Sequence, residues 1–253
     1  MVDYELQGHI GILTLNRPEA RNAVNGDVSK GMEAAIDQLE ENDEAWVGIL
    51  THNGPVFSAG ADLKAINSGQ AADLQTKRGG FAGLVQRPRT KPLIAAIDGP
   101  AFAGGCEIAL ACDLIVASTQ ARFGVPEVKR SLAAAAGALF RLPRALPHNV
   151  ALEMIMTGDP IDAERAYHFG MVNDLCEPGK TMEHAKALAE RICANAPLAV
   201  RKSREVALAS IDVDDATAFR LSGEAMIALS STEDFWEGPK AFIEKRDPVW
   251  KGK

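Results

Sequence analysis

The chain has 253 residues, 47% of them hydrophobic, enough for one large α/β unit, or a unit with an appendage, around a sizeable core. With 34 acidic against 27 basic residues its formal charge is −7, so it has no basic excess with which to bind nucleic acid or an anionic membrane. Four cysteines and five histidines show no CxxC or HExxH spacing, which predicts no metal site and reduced thiols.

The N-terminal MVDYELQGHIGILTLN passes almost at once into an alternating apolar strand over residues 9–15, so no leader segment is expected. Further strands are expected at 45–51, 93–99 and 113–118, separated by helices at 26–41, 79–87 and 104–111. Strand alternating with helix is the pattern of a layered α/β fold. After about Leu142 the strands nearly stop, and amphipathic helices follow at 149–156, 163–169, 181–194, 198–210, 216–230 and 234–245. The expected division is an α/β core over 1–195 and a helical part over 196–253, too small for independence and expected to pack on the core or on a neighbouring subunit. No apolar run reaches the ~20 residues of a membrane span, so a cytoplasmic location is expected.

Two segments set glycines between an apolar strand and a helix: FSAGADLKAI (57–66) and DGPAFAGGCEIAL (98–110). The N–H groups of a first helical turn carry partial positive charge and suit an anion or a developing oxyanion. Two such turns could give one N–H each to a shared carbonyl oxygen, as enolate chemistry needs; alternatively the glycines only permit tight turns. GxGxxG, GxxxxGK[ST] and GxSxG are all absent, which disfavours nucleotide-binding loops and nucleophile-elbow hydrolases.

Glu107 stands in the otherwise apolar AFAGGCEIALAC, where a carboxylate is costly unless paired, hydrogen-bonded or protonated. Glu127, in FGVPEVKR, can be read as an ordinary first-turn acid facing a helix dipole. If both shared one apolar cleft, their pKa values would be pushed up and apart, giving one protonated and one ionised carboxyl for acid/base work.

In this order the motifs resemble the crotonase superfamily, closest to the enoyl-CoA hydratases. NRPEARNAVN (16–25) is similar to the family's N-terminal signature, FSAGADLKAI and AGGCEIALACD to its two oxyanion-hole segments, and FGVPE to the loop of its second acid. TGDPIDAERAYHFGMVN (157–173) and EGPKAFIEKR (237–246) extend the likeness to the end of the chain. The resemblance implies a ββα spiral core with a C-terminal helical part. It assigns the oxyanion hole to the N–H groups of Ala61 and Gly104, and catalysis to Glu107 and Glu127. It implies reversible hydration of a trans-2-enoyl-CoA, with coenzyme A arriving as part of the substrate and no separate cofactor. Trimers or dimers of trimers are implied as well.

The resemblance also places substrate contacts at Glu19, Ala20, Arg21, Ala59, Asp62, Leu63 and Lys64, and at Phe242 and Lys245 reaching a neighbouring subunit's ligand. Residues 67–83 are implied to shape the acyl pocket. Two basic clusters, Lys77, Arg78, Arg87, Arg89 and Lys91, and Lys240, Lys245, Arg246, Lys251 and Lys253, are either solvated faces or partners for the coenzyme A phosphates. Where hydratases carry a glycine-rich turn after the second acid, this chain has LAAAAGALFRL (132–142), keeping only Gly137. Crotonobetainyl- or carnitinyl-CoA hydration, isomerisation and non-catalytic acyl-CoA binding remain alternatives.

Overall fold

The computed structural model describes residues 1–253. Strands β1 (Val2–Gln7) and β2 (Ile10–Leu15) form an antiparallel hairpin, followed by helix α1 (Gly26–Glu41) and strand β3 (Val47–His52). A short helix α2 (Leu63–Asn67) and a two-stranded ribbon, β4 (Gln75–Thr76) and β5 (Gly80–Phe81), precede β6 (Leu93–Ile97). Then come β7 (Pro100–Phe102), α3 (Gly104–Leu110), β8 (Leu114–Ser118) and β9 (Arg122–Gly124). The main sheet runs β1-β2-β3-β6-β8, closed by a later short strand, β11 (Asp174–Cys176), with every pair after the hairpin parallel.

The period of two along each strand explains why this sheet is buried on both faces. Ile10, Ile12, Val47, Ile49, Ile94 and Ala96 face Ala185 and Ala189 of one covering helix, while Leu13, Leu15, Leu50, Leu93, Ala95 and Ile97 join the larger core with α1 and α3. The α1 helix starts at Asn25, whose side chain accepts from the Val28 N–H at 3.0 Å. It ends against Lys91, whose buried Nζ donates to the carbonyls of Leu39 (2.7 Å) and Asn42 (2.6 Å).

The remaining elements are α4 (Ala138–Ala145), α5 (His148–Thr157), β10 (Ile161–Asp162), α6 (Ala163–His168), α7 (Thr181–Cys193), α8 (Pro197–Ala209), α9 (Asp215–Ser230) and α10 (Glu233–Glu244). The last six helices match the expected ranges to within one residue at each end. A second small sheet, β10-β9-β7, stands beside the main one. No helix is long and apolar enough to cross a membrane.

One expected helix is absent. Residues 79–87 form β5 and a chain of turns, because Gly80 (φ 64°), Ala82 (φ 56°) and Gly83 (φ 67°) adopt left-handed backbone that a right-handed helix excludes. The first basic cluster is also mostly committed inside the fold. Arg78 pairs with Glu33 (3.2 Å) and Asp37 (2.5 Å), Arg87 with Asp37, Arg89 with Asp113 (3.2 Å), and Lys91 caps α1. Only Lys77 remains an exposed, unpaired cation of the five.

Candidate active site

The two glycine turns meet. Ser58 bridges to Ala101 as a parallel strand would, its carbonyl accepting from the Phe102 N–H at 3.0 Å, and a Cβ added to Gly60 would lie 2.7 Å from the Gly104 nitrogen. Gly60 also has φ +85°, so both its conformation and its contact require glycine. A Cβ on Gly104 would lie 2.4 Å from the Phe81 ring.

Main-chain pairing leaves two N–H groups over. In the parallel bridge between Val24 and Ala61, the Val24 N–H donates to Gly60 O (2.7 Å) and the Asp62 N–H to Val24 O (2.9 Å), so the Ala61 N–H takes no part. The Gly104 N–H opens α3 and is one of the donors a helix cannot satisfy from within. Between β7 and α3 the chain turns at Ala103 (φ 52°, ψ −128°), a costly conformation for a residue with a side chain. Such strain persists where surrounding contacts over-determine it, and here the Ala103 N–H donates to Gly124 O at 2.9 Å.

Ala61 and Gly104 line one cavity of about 460 Å³ together with Glu107 and Glu127. Glu107, one turn into α3, is only 3% exposed and accepts from the Ala138 N–H at 3.1 Å. Burial, opposed by that N–H and augmented by the charge of Glu127, pushes its pKa up to about 7. Glu127 sits on the 3-10 turn Pro126–Arg130, with Oε2 buried and lacking a protein partner. Burial lifts its pKa as well, against its own amide and Arg130.

The other expected contact residues are distributed unevenly. Ala59 and Leu63 line the cavity. Asp62 is nearly buried beside it, capping α2 through Lys64 N (2.9 Å) and Ala65 N (3.4 Å) and pairing with Arg17 at 2.7 Å. Burial alone would raise its pKa; Arg17 and the two amides outweigh burial and hold it below the usual value. Glu19 and Ala20 form a 3-10 turn, Arg21 is an exposed left-handed residue whose carbonyl accepts from Ala59 N–H (3.0 Å), and Lys64 is exposed on α2. Phe242 and Lys245 lie at the exposed end of α10 and do not line this cavity. In the second basic cluster Arg246 pairs with Glu237 and Glu244 and Lys251 with Glu233, leaving Lys240, Lys245 and Lys253.

Sequence reasoning about single residues missed Val85, Gln86 and Arg130, which also line the cavity. Val85 and Gln86 lie in the stretch read as a helix, so their shared direction was hidden. Gln75 and Phe81, from the 67–83 stretch, line it too, as do Ala135 and Ala136 of the alanine-rich segment.

The sequence model of the enoyl-CoA hydratase/isomerase family matches residues 5–253. The chain belongs to that family. It is 40% identical over 252 residues to a carnitinyl-CoA dehydratase of Salmonella typhimurium, covering 97% of this chain and 96% of that protein. Among solved structures it resembles an enoyl-CoA hydratase from Mycobacterium tuberculosis H37Rv, with TM-score 0.96, 45% identity and coverage of 100% of this chain and 99% of the other. It also resembles a carnitinyl-CoA hydratase from Mycobacterium avium, with TM-score 0.79, 43% identity and coverage of 100% and 98%. The fold is thus that of the crotonase-type enoyl-CoA hydratases, with a helical C-terminal part.

Proposed function

We propose that the protein is an enoyl-CoA hydratase, adding water reversibly across the C2=C3 bond of a trans-2-enoyl-CoA thioester. The observation that carries this reading is the convergence of two spare N–H groups and two carboxyls with raised pKa values in one largely apolar cavity. The N–H groups of Ala61 and Gly104 donate to no protein group and are free to donate to the thioester oxygen, where enolate charge accumulates. Glu107 in its carboxylate form orients water and takes its proton as the oxygen adds to C3. Glu127 in its acid form delivers a proton to C2. The two carboxyls end with their protonation exchanged and titrate as a pair. Coenzyme A enters as part of the substrate, and no separate cofactor takes part.

The curated relatives at 40% identity favour a second reading, carnitinyl-CoA dehydration. That acyl group carries a quaternary ammonium; the largely apolar lining and Arg130 favour an uncharged chain. Loss of the conjugated enoyl-thioester absorbance with straight-chain, branched and crotonobetainyl-CoA substrates separates the two. Glu107→Gln and Glu127→Gln in folded protein are each expected to slow hydration roughly 10²–10⁴-fold; full activity in both overturns the mechanism.

We further propose residues 1–195 as the catalytic core and 196–253 as an assembly region. Phe219 (79% exposed) and Phe242 (85% exposed), with Ile227, Trp236 and Ile243, leave α9 and α10 with exposed apolar side chains suited to a second copy of the chain. A homotrimer or dimer of trimers would bring Phe242 and Lys245 to a neighbour's substrate. Light scattering that gives a monomer overturns this.

A further inference from the structure

Arg141 lies on α4, one turn beyond the Ala138 N–H that binds Glu107. Its Nη2 donates to the Val85 carbonyl at 2.6 Å and its Nη1 to the Ala136 carbonyl at 3.3 Å, and both of these residues line the cavity, from separate loops. None of its hydrogen bonds goes to a carboxylate, whereas Arg17, Arg87, Arg89 and Arg204 are each paired with an aspartate. A half-buried guanidinium resting on the Phe140 ring at 4.9 Å, with carbonyls as its only acceptors, is costly to keep charged. Burial disfavours its charge, and the acid that most favours it is Glu107.

We propose that Arg141 is a positioning residue of this active site: its fork holds the Val85 and Ala136 walls together, and its charge favours the carboxylate form of Glu107. This rests on the hydratase reading above. The surroundings of Glu107 make the sign definite. Glu127, from the 126–130 turn, opposes ionisation, and the charge of Arg130, on that same turn, bears on Glu127. Cys106, the neighbour on α3, is a thiol whose pKa burial pushes up, so it stays neutral, and Gln86 from the 80–86 loop is uncharged. Arg141 is therefore the cation that lowers the cost of ionising Glu107, alongside the Ala138 and Ala136 amides.

The test compares Arg141→Lys, Arg141→Gln and Arg141→Met, following hydration of a trans-2-enoyl-CoA against pH. Removing the charge should move the limb that reports Glu107 ionisation upward by roughly one unit, a loss of roughly fivefold at pH 7 that is recovered at higher pH, on top of a pH-independent fall in kcat from the lost clamp. Arg141→Gln and Arg141→Met both test this, and Gln retains one donor for the Val85 carbonyl should Met fail to fold. Arg141→Lys keeps the charge but replaces the planar two-nitrogen fork with a single ammonium on a shorter side chain, so the hold on the Val85 and Ala136 carbonyls weakens and kcat should fall with the limb in place. An unmoved limb in the folded neutral variants overturns the electrostatic role; an unchanged kcat in Arg141→Lys overturns the clamp. Independently of turnover, the side-chain carboxyl 13C resonance of Glu107, assigned through Glu107→Gln, should titrate higher in substrate-free Arg141→Gln than in the parent protein. If the parent protein hydrates no thioester, the hydratase reading fails on its own, and this titration still decides the role of Arg141.

Discussion

One wall of the cavity, built from residues 58–62 and the β7–α3 turn, is fixed by main-chain contacts, whereas the opposite wall, residues 126–138, is held by few bonds and several small side chains. On the first wall Ser58, Gly60, Ala103 and Gly104 approach so closely that added methyl groups would meet backbone or ring atoms. The second has no regular structure over 132–137, and Leu132 there is 58% exposed. The first wall presents two N–H groups left over by main-chain pairing; the second carries Glu127 and, on the proposed hydratase reading, would face the acyl group. On that reading, reaction class and acyl preference would reside in parts of the molecule with different tolerance for change.

The strongest way to break this comparison is to disturb the rigid wall. Gly60→Ala places a methyl 2.7 Å from the Gly104 nitrogen and 2.8 Å from the Ala103 Cβ, at a φ of +85°. Displacing one oxyanion donor should slow hydration roughly 10²–10³-fold in protein that remains folded, as checked by steady-state kinetics beside circular dichroism. Full activity would mean that the turns are not the rigid part.

A smaller effect, and one of opposite sign in stability, is expected at Glu107. Its pKa of about 7 in the folded chain lies above the ~4.3 of an unfolded glutamate. Between those values the folded chain keeps a proton that the unfolded chain releases, so stability falls as pH rises through the window and the loss is complete above pH 7. Glu107→Gln escapes it. The variant should hydrate far more slowly yet be more stable than the parent at pH 8, by roughly 4 kcal/mol at most, and show little gain at pH 4. Denaturant melts at both pH values check this. The same window implies that activity of the parent rises with pH through about 7, as Glu107 becomes the carboxylate that accepts the water proton.

Much of this was legible because local chemistry and tertiary packing agree. Gly26–Glu41 was expected as a helix over the same residues, and the structure adds its Asn25 cap; the late helices were expected to within a residue at each end. Glu107 stood out because a carboxylate in an apolar helix demands an explanation, and the fold supplies the Ala138 N–H. Other features are set by partners distant in sequence. Val2–Gln7 becomes a strand by pairing with Ile10–Leu15, although Val2, Tyr4 and Leu6 already alternate with Asp3, Glu5 and Gln7. Gly79–Arg87 reads as helix until positive φ values at Gly80, Ala82 and Gly83 are known. The basic residues 77–91 resemble a phosphate cluster only while Glu33, Asp37 and Asp113 are out of view. Arg141 gave no signal at all, since its role depends on two carbonyls that the chain brings together from separate loops.

The smallest effect sharpens the comparison from the irregular side. Leu132 follows the turn that carries Glu127, its N–H donating to the Glu127 carbonyl at 3.1 Å, and its side chain forms part of the cavity mouth. A serine there keeps the main-chain bond and removes apolar surface without touching either N–H donor or either carboxyl. Leu132→Ser should therefore raise KM for a long-chain enoyl-CoA about threefold to tenfold, the scale of losing a methylene or two from an apolar pocket. Turnover of crotonyl-CoA, whose chain stops at C4, should stay within about twofold. Equal losses for both substrates would show that Leu132 supports Glu127 rather than the acyl chain, and the two walls would then share the chemistry instead of dividing it.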